Sequence, residues 1–449
     1  MTKHERDPGS QKIVIDFDAL RGVATNLGVL LLLGLAQGIG ACGFNAVTYA
    51  DAPSSLTIDA APTGCANDQA CTGTTAVCDL GDATCVVCTK AEAAACIGTT
   101  PLCGSDDACH ACSAHADCAS GACLPDGSCG DDASVAYVDP AGTDNSSCVK
   151  ALPCTSVTKA LATRRPFVKF TGTTDQSVTV SGQTVTFLAD RAAKLTRSTG
   201  AGAILTVSGD GTSLTIYDLS ISDGPNNASG YGVVVPIASG APAVSLIRAT
   251  VSNNPGGGIS TAAGSLIVEQ STISSNPGGG ISVSGTGTAF NITNNFIVYN
   301  GTAGGDNASQ VGGATLIANT PGSTFLFNTV AFNACAGAIY RGGVTCTGAN
   351  VSASGNLIYK NAEGTTTSAA TQDAGGCQFG DTLVVVTDAA DLGFKSPVTS
   401  PLDFHLTSAT PHTVVDAAGQ CAVVDPVDLD GDVRPQGSAC DFGADEYKP

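Results

Sequence analysis

Arg248-Ala-Thr-Val-Ser-Asn-Asn254 runs into Pro255-Gly-Gly-Gly-Ile259, and 22 residues later Gln270-Ser-Thr-Ile-Ser-Ser-Asn276 runs into Pro277-Gly-Gly-Gly-Ile281. The phrase returns as Asn295-Phe-Ile-Val-Tyr-Asn300, Asn328-Thr-Val-Ala-Phe-Asn333 and Asn356-Leu-Ile-Tyr-Lys-Asn361. Aligned on the final asparagine, a β-branched residue stands three places earlier each time: Val251, Ile273, Ile297, Val330 and Ile358. Five places earlier the residue is small or polar: Ala249, Ser271, Asn295, Asn328, Asn356. A unit of about twenty-odd residues cannot bury its own apolar face, so such units must stack. Each turn would supply short strands that pair in parallel with the next turn, about 4.8 Å away. Aliphatics then point inward, and asparagines at one place per turn bond amide to amide and tolerate a left-handed backbone. The glycine runs are expected at turns that need positive φ. From Phe167 to Phe404 the rhythm predicts roughly ten coils. A six-residue rhythm is absent, and so are propeller blades of about 40–45 residues.

Composition agrees. Of 449 residues only 13 % are charged, 43 % are apolar and Trp is absent, a low-charge β-rich balance and not that of a disordered acidic chain. The net charge, 19 − 39 = −20, argues against nucleic acid or an anionic membrane surface as partner.

Lys3, Arg6, Lys12 and Arg21 precede the apolar run Val29-Leu-Leu-Leu-Leu-Gly-Leu-Ala36. So short a run suits an export signal better than a spanning helix. It ends in Ile39-Gly-Ala-Cys42, which resembles the lipobox of bacterial lipoproteins. That resemblance implies a lipid anchor on Cys42, an outer-membrane lipoprotein facing outward, and membrane contact through the lipid only. Ordinary secretion, with cleavage near Ala41 or Ala50, is the alternative. Residues 1–42 are thus the expected signal and 43–64, rich in Ala, Pro, Ser and Thr, a tether.

Residues 65–130 form a Cys-rich module with twelve cysteines between Cys65 and Cys129 and almost no aliphatic core. Two sub-repeats read Cys71 to Cys78 with Cys85-Val-Val-Cys88, and Cys96 to Cys103 with Cys109-His-Ala-Cys112, followed by a shorter unit of Cys118, Cys123 and Cys129. The two CxxC pairs have zinc-ribbon spacing. Disulfides account for all twelve, and an exported chain meets an oxidising compartment. Disulfides are therefore expected, with His110 and His115 as solvated loop residues.

Residues 134–449 hold the coils and their caps. Ala136-Tyr-Val-Asp-Pro-Ala-Gly-Thr-Asp-Asn145 precedes Cys148 to Cys154 and Thr155-Ser-Val-Thr-Lys-Ala-Leu-Ala162. Thr155 or Ser156 is placed to cap a short helix that buries Val157, Ala160 and Leu161. This arrangement resembles the N-terminal cap of right-handed parallel β-helix proteins of the pectate-lyase-like kind. Leu402-Asp-Phe-His-Leu-Thr-Ser, Asp428-Leu-Asp-Gly-Asp-Val-Arg-Pro-Gln436 and Asp441-Phe-Gly-Ala-Asp-Glu446 resemble the C-terminal part of the choice-of-anchor Q family, β-helix surface proteins of bacteria. The expected fold is all-β: a right-handed parallel β-helix of about ten coils preceded by a small disulfide-rich module. Cys148 is expected to pair with Cys154, Cys335 with Cys346, and Cys421 with Cys440, leaving Cys377 without an obvious partner if Cys42 carries the lipid.

Catalytic candidates are few. Between Gly200 and Asn361 the acids are Asp210, Asp218, Asp223, Glu269 and Asp306, the bases Arg248, Arg341 and Lys360, and there is no His. Asp218 and Asp223 are the pair to consider, yet an odd spacing within one strand points side chains to opposite faces, and acid–base chemistry needs convergence. Tyr231, Tyr299, Tyr340 and Tyr359 would stack on sugar or pack. The rhythm breaks at Thr302–Val311 and Ala362–Gly376, first choices for a binding surface. Asp428, Asp430 and Asp432 form a candidate structural calcium site, the one cofactor expected. His405 and His412 are read as structural. The sequence thus favours a surface-anchored, non-enzymatic, monomeric protein that binds polysaccharide, matrix or another cell. The alternative is a secreted polysaccharide lyase or glycoside hydrolase acting on acidic glycans.

Overall fold

Three parallel sheets wall the coil. Among the described residues the first has ten strands, from Val135–Val138 to Gln378–Phe379; the second nine, from Thr173–Asp175 to Leu383–Val385; the third seven, from Val178–Ser181 to Val344–Thr347. Ten strands in the first sheet match the coil count read from the repeat. The computed structural model describes residues 64–449 apart from 286, 304–309, 318–319, 337–340, 348–350, 364–377, 386–391 and 420–425. These belong to one unit, Gly64–Pro449. The fold is a right-handed parallel β-helix, the hand expected of parallel crossovers. The export signal, Cys42, the tether up to Thr63, Cys377, Cys421, Tyr340 and most of the two rhythm-breaking loops lie outside the described residues.

The aligned β-branched residues form one inward column. Leu195, Ile221, Val251, Ile273, Ile297, Val330 and Ile358 are successive partners in the second sheet, each at 0 % exposure. Each is worth about 1.5–3 kcal/mol of burial. Its strands are three residues long in the middle of the coil, so alternation leaves one residue inward and two outward. Those outward pairs decide what each rung can do.

Amides staple the corners. Asn254, Asn276, Asn300, Asn333 and Asn361 are fully buried, each Nδ2 donating to the next Oδ1 at 2.8–3.0 Å along the four steps. The same Oδ1 atoms accept backbone N–H groups of the preceding asparagine at 2.8–3.3 Å. A second ladder runs through Asn295, Asn328 and Asn356. The amides thus satisfy backbone groups that leave the strand ladder at each corner, which burial would otherwise make costly.

One expected reason for asparagine is corrected. Positive φ falls on the residue before each ladder asparagine, at Asn253, Ser275, Tyr299, Phe332 and Lys360. The left-handed corner therefore accepts bulky residues, and asparagine is there for its amide. The glycine runs need a similar correction. Gly257 and Gly279 take positive φ, 133° and 113°. Gly258 and Gly280 are set by crowding, since a Cβ would meet the Gly280 carbonyl at 2.6 Å and the Gly313 carbonyl at 2.3 Å.

At the N-terminal cap, Ser156 caps the helix Val157–Ala162, which buries Val157, Ala160 and Leu161 as expected. Cys148 bonds Cys154. The Cys-rich module is three consecutive units, each with its first cysteine bonded to its third and its second to its fourth. The bonds are Cys65–Cys78 and Cys71–Cys85, Cys88–Cys103 and Cys96–Cys109, Cys112–Cys123 and Cys118–Cys129. The CxxC pairs straddle unit boundaries, so the sub-repeats read from sequence were out of frame, and their thiolates are committed to different disulfides instead of one zinc ion. The third unit docks on the first coil: Tyr137 Oη donates to the Ser120 carbonyl at 3.0 Å and Lys150 Nζ to that of Ala119 at 2.7 Å. His115 is half-buried here, not solvated; its Nδ1 accepts from Cys123 N and its Nε2 donates to the Ala189 carbonyl. Burial and then the Lys169 charge hold it below its ordinary pKa. Cys346 and Cys440 are disulfide-bonded, and Cys335 is buried.

The C-terminal segment corrects a further expectation. Its described parts pack as a flap along the outside of the second sheet instead of only over the end of the coil. Phe404 is its hub, with ring centroids 5.2–6.2 Å from Phe394, Phe296, Phe332 and Tyr299. Tyr299 and Tyr359 are packing residues there: Tyr299 stacks on Phe332 and Tyr359 is fully buried.

Candidate functional site

The outward pairs of the second sheet change character halfway along. Early rungs carry Ser220/Ser222, Thr250/Ser252 and Thr272/Ser274, whereas later rungs carry Phe296/Val298, Thr329/Ala331 and Leu357/Tyr359. The flap covers the later rungs and stops at the Phe296 rung. Its edge and the open hydroxyl rungs enclose a groove of about 620 Å³. Thr250, Ser252, Thr272 and Ser274 form the floor, and Leu402 and His405 stand on the wall. Corner residues position both sides: Gln270 Nε2 donates to the Asp428 carbonyl and Asn294 Nδ2 to that of Val427, each at 2.7 Å.

Arg248 belongs to this groove and to a second cleft of about 1020 Å³ between the third Cys-rich unit and the coil, lined also by His115, Asp190, Tyr217 and Asp218. Its guanidinium is bidentate on Asp218, at 2.8 and 2.9 Å, and lies 5.4 Å from the Tyr217 ring centre. That carboxylate raises the Arg248 pKa further, so Asp218 is spent on a fixed cation. Asp223 sits across the Ser220–Ser222 strand and pairs with Lys194 instead. Both take positive φ, 63° and 59°. The structure therefore does not join Asp218 and Asp223 in one site, in keeping with their odd spacing.

The calcium trio does not converge either. Asp428 is fully buried, with Oδ1 accepting from Asp430 N and Asp432 N and Oδ2 from Glu446 N at 2.8–3.1 Å. It organises a turn; burial raises its pKa and those N–H groups oppose the rise. Asp432 pairs with Lys448 at 2.5 Å. Arg434 reaches inward to Glu446 at 3.0 Å and lies 4.8 Å from the Phe327 ring centre.

Sequence reading passed over the group around His405. Nδ1 lies 2.5 Å from Asp403 Oδ1 and Nε2 3.0 Å from Asp430 Oδ2, with buried Asp445 beside them. Asp430 first, against burial and with Asp403, pushes His405 up to about 9. Burial pushes Asp445 up to about 6. Asp403 and Asp445 stand 42 residues apart, so only the folding-back of the flap gathers the four. His412 is exposed. The hydroxyl floor did have a signal: the middle of the repeated phrase reads Thr-Val-Ser and Thr-Ile-Ser, then Phe-Ile-Val.

Comparisons with known proteins add the following. A family of unknown function (DUF8331) matches residues 41–135, which covers the Cys-rich module. No curated protein matches the chain. Among solved structures, a pectate lyase, Pel9A, is similar at 15 % identity and a TM-score of 0.42, over 70 % of this chain and 96 % of that one. A pectin methylesterase mutant in complex with a hexasaccharide is similar at 11 % identity and a TM-score of 0.33, over 57 % of this chain and 91 % of that one.

Proposed function

We propose that this is an extracellular, envelope-anchored β-helix protein that binds a neutral polysaccharide along the hydroxyl rungs of the second sheet, without turnover. The carrying observation is the floor itself: Thr250, Ser252, Thr272 and Ser274 lie in register on adjacent rungs. Four hydroxyls that both donate and accept suit a row of sugar hydroxyls, and the rung spacing of about 4.8 Å is of the order of one pyranose. Charge speaks for a neutral ligand. Arg248 is held by Asp218, and Asp403 and Asp430 by His405.

Hydrolysis would need two carboxyls flanking one glycosidic bond, about 5–9.5 Å apart. Asp218 and Asp223, the pair considered for that task, are instead each tied to a different cation. Anchoring rests on Ile39-Gly-Ala-Cys42 and the following tether, and the surface role on the C-terminal resemblance to the choice-of-anchor Q family.

A panel of neutral and acidic glycans tests the reading, scored for retention and for new reducing ends or unsaturated uronate. Retention of a neutral glycan without product is expected; product that disappears in Asp218→Asn would establish the enzyme alternative. Cys42→Ala should move the protein from the membrane to the soluble fraction, and an unchanged distribution would remove the anchor.

A further inference from the structure

We propose that His405, Asp430 and Asp445 bind one divalent transition-metal ion of the zinc class, clamping three segments of the C-terminal flap. One donor atom from each lies within 4.8 Å of the others. Zinc bonds of about 2.0–2.2 Å to nitrogen and oxygen put neighbouring donors roughly 3–3.5 Å apart. Nε2 of His405 already lies 3.0 Å from Asp430 Oδ2. Asp430, whose side chain is 55 % exposed, has room to adjust as the ion binds.

The imidazole is oriented for this role. Asp403 Oδ1, 2.5 Å from Nδ1, keeps a proton on that nitrogen, so an arriving ion displaces the Nε2 proton and takes its place between the ring and the carboxylates, the arrangement that supports metal-bound histidine. Nε2 is buried and makes no aligned hydrogen bond despite its nearness to Asp430. Asp430 is braced through its backbone N–H by Asp428 Oδ1 at 2.9 Å. Asp445 Oδ2 accepts from the N–H of Leu406, the residue after His405, at 2.6 Å. Buried Asp445, 6 % exposed, is thus locked to the histidine's own segment. A nitrogen donor favours a zinc-class ion over calcium, which prefers oxygen ligands in larger number. Three protein donors leave a position for water. This site differs from the sequence-based calcium trio, of which it keeps Asp430 alone.

The full mature chain, without an affinity tag and stripped with chelator, is titrated with zinc chloride by calorimetry. One equivalent should bind, raise the melting temperature, and be unaffected by equimolar calcium. Cobalt should give visible d–d absorption. His405→Gln should lose the binding with an unchanged far-UV spectrum, and Asp430→Asn, at an exposed position, repeats the test should that variant fail to fold. Asp403→Asn should keep the stoichiometry and weaken affinity about 10–100-fold, while Asp432→Asn should bind as the parent does. A folded parent that takes up no zinc or cobalt, or equal binding by parent and both ligand variants, overturns the proposal.

Discussion

The two halves of the second sheet share a backbone, an inward aliphatic column and a corner ladder, and differ only in what faces out. Where the outward pairs are Thr250/Ser252 and Thr272/Ser274, the face stays open; where they are Phe296/Val298 and Leu357/Tyr359, the flap covers it. Apolar pairs must be buried and hydroxyl pairs need not be. The sequence therefore writes both a second core and an open groove on one regular scaffold, and the boundary between them, at the Phe296 rung, is where the groove has its wall.

Cutting the shared element should have the largest effect. Asn300 donates to the Ile273 carbonyl and Asn333 Oδ1 and accepts from Asn276 N and Nδ2, at 2.8–3.3 Å. Asn300→Ala removes all four bonds from the interior and leaves Asn276 N without its acceptor, so equilibrium denaturation should show a loss of roughly 4 kcal/mol or more. A loss below about 1 kcal/mol would mean that the ladder is not what the halves have in common.

Removing the hub of the covered half comes next. Phe404→Ala should cost about 3–5 kcal/mol and speed hydrogen exchange at Leu392–Leu406, with exchange at the Thr250 and Thr272 rungs unchanged. Uniform acceleration along the sheet would erase the distinction between halves.

The covered half also carries buried acids. Burial, with Glu446 adding, pushes Asp441 up to about 6 from an ordinary 3.8. Between these values the folded state keeps a proton that the unfolded state has lost. Stability from this group is therefore complete below about pH 3.8 and is lost as pH rises through about 6. Relative to the parent, Asp441→Asn should gain about 2–3 kcal/mol between pH 4 and 6.5, read from urea midpoints; a flat difference would remove Asp441 from the account. Smallest in stability is the open floor: Thr250→Val with Ser252→Ala should shift unfolding by no more than about 0.5 kcal/mol.

Much of this architecture was legible because it repeats. Val251 and Ile273 announce the column, Ser271 and Asn295 the second ladder, and Ser156 the cap. What escaped was non-periodic. Nothing local to Asp403 or Asp445 says that a flap folds back to bring them to His405. The module's frame was misread because Cys85-Val-Val-Cys88 looks like one motif while its two cysteines serve different units. Asp428, Asp430 and Asp432 look alike in a line, yet backbone geometry gives one to the turn, one to His405 and one to Lys448.

The most direct measurement is the affinity of the parent and of the Thr272→Val, Ser274→Ala double variant for the neutral glycan retained from the panel, at matched folded fraction. The account predicts at least a ten-fold loss in the variant with no product formed by either protein. Equal affinity, or loss only when the covered rungs are altered, would contradict it.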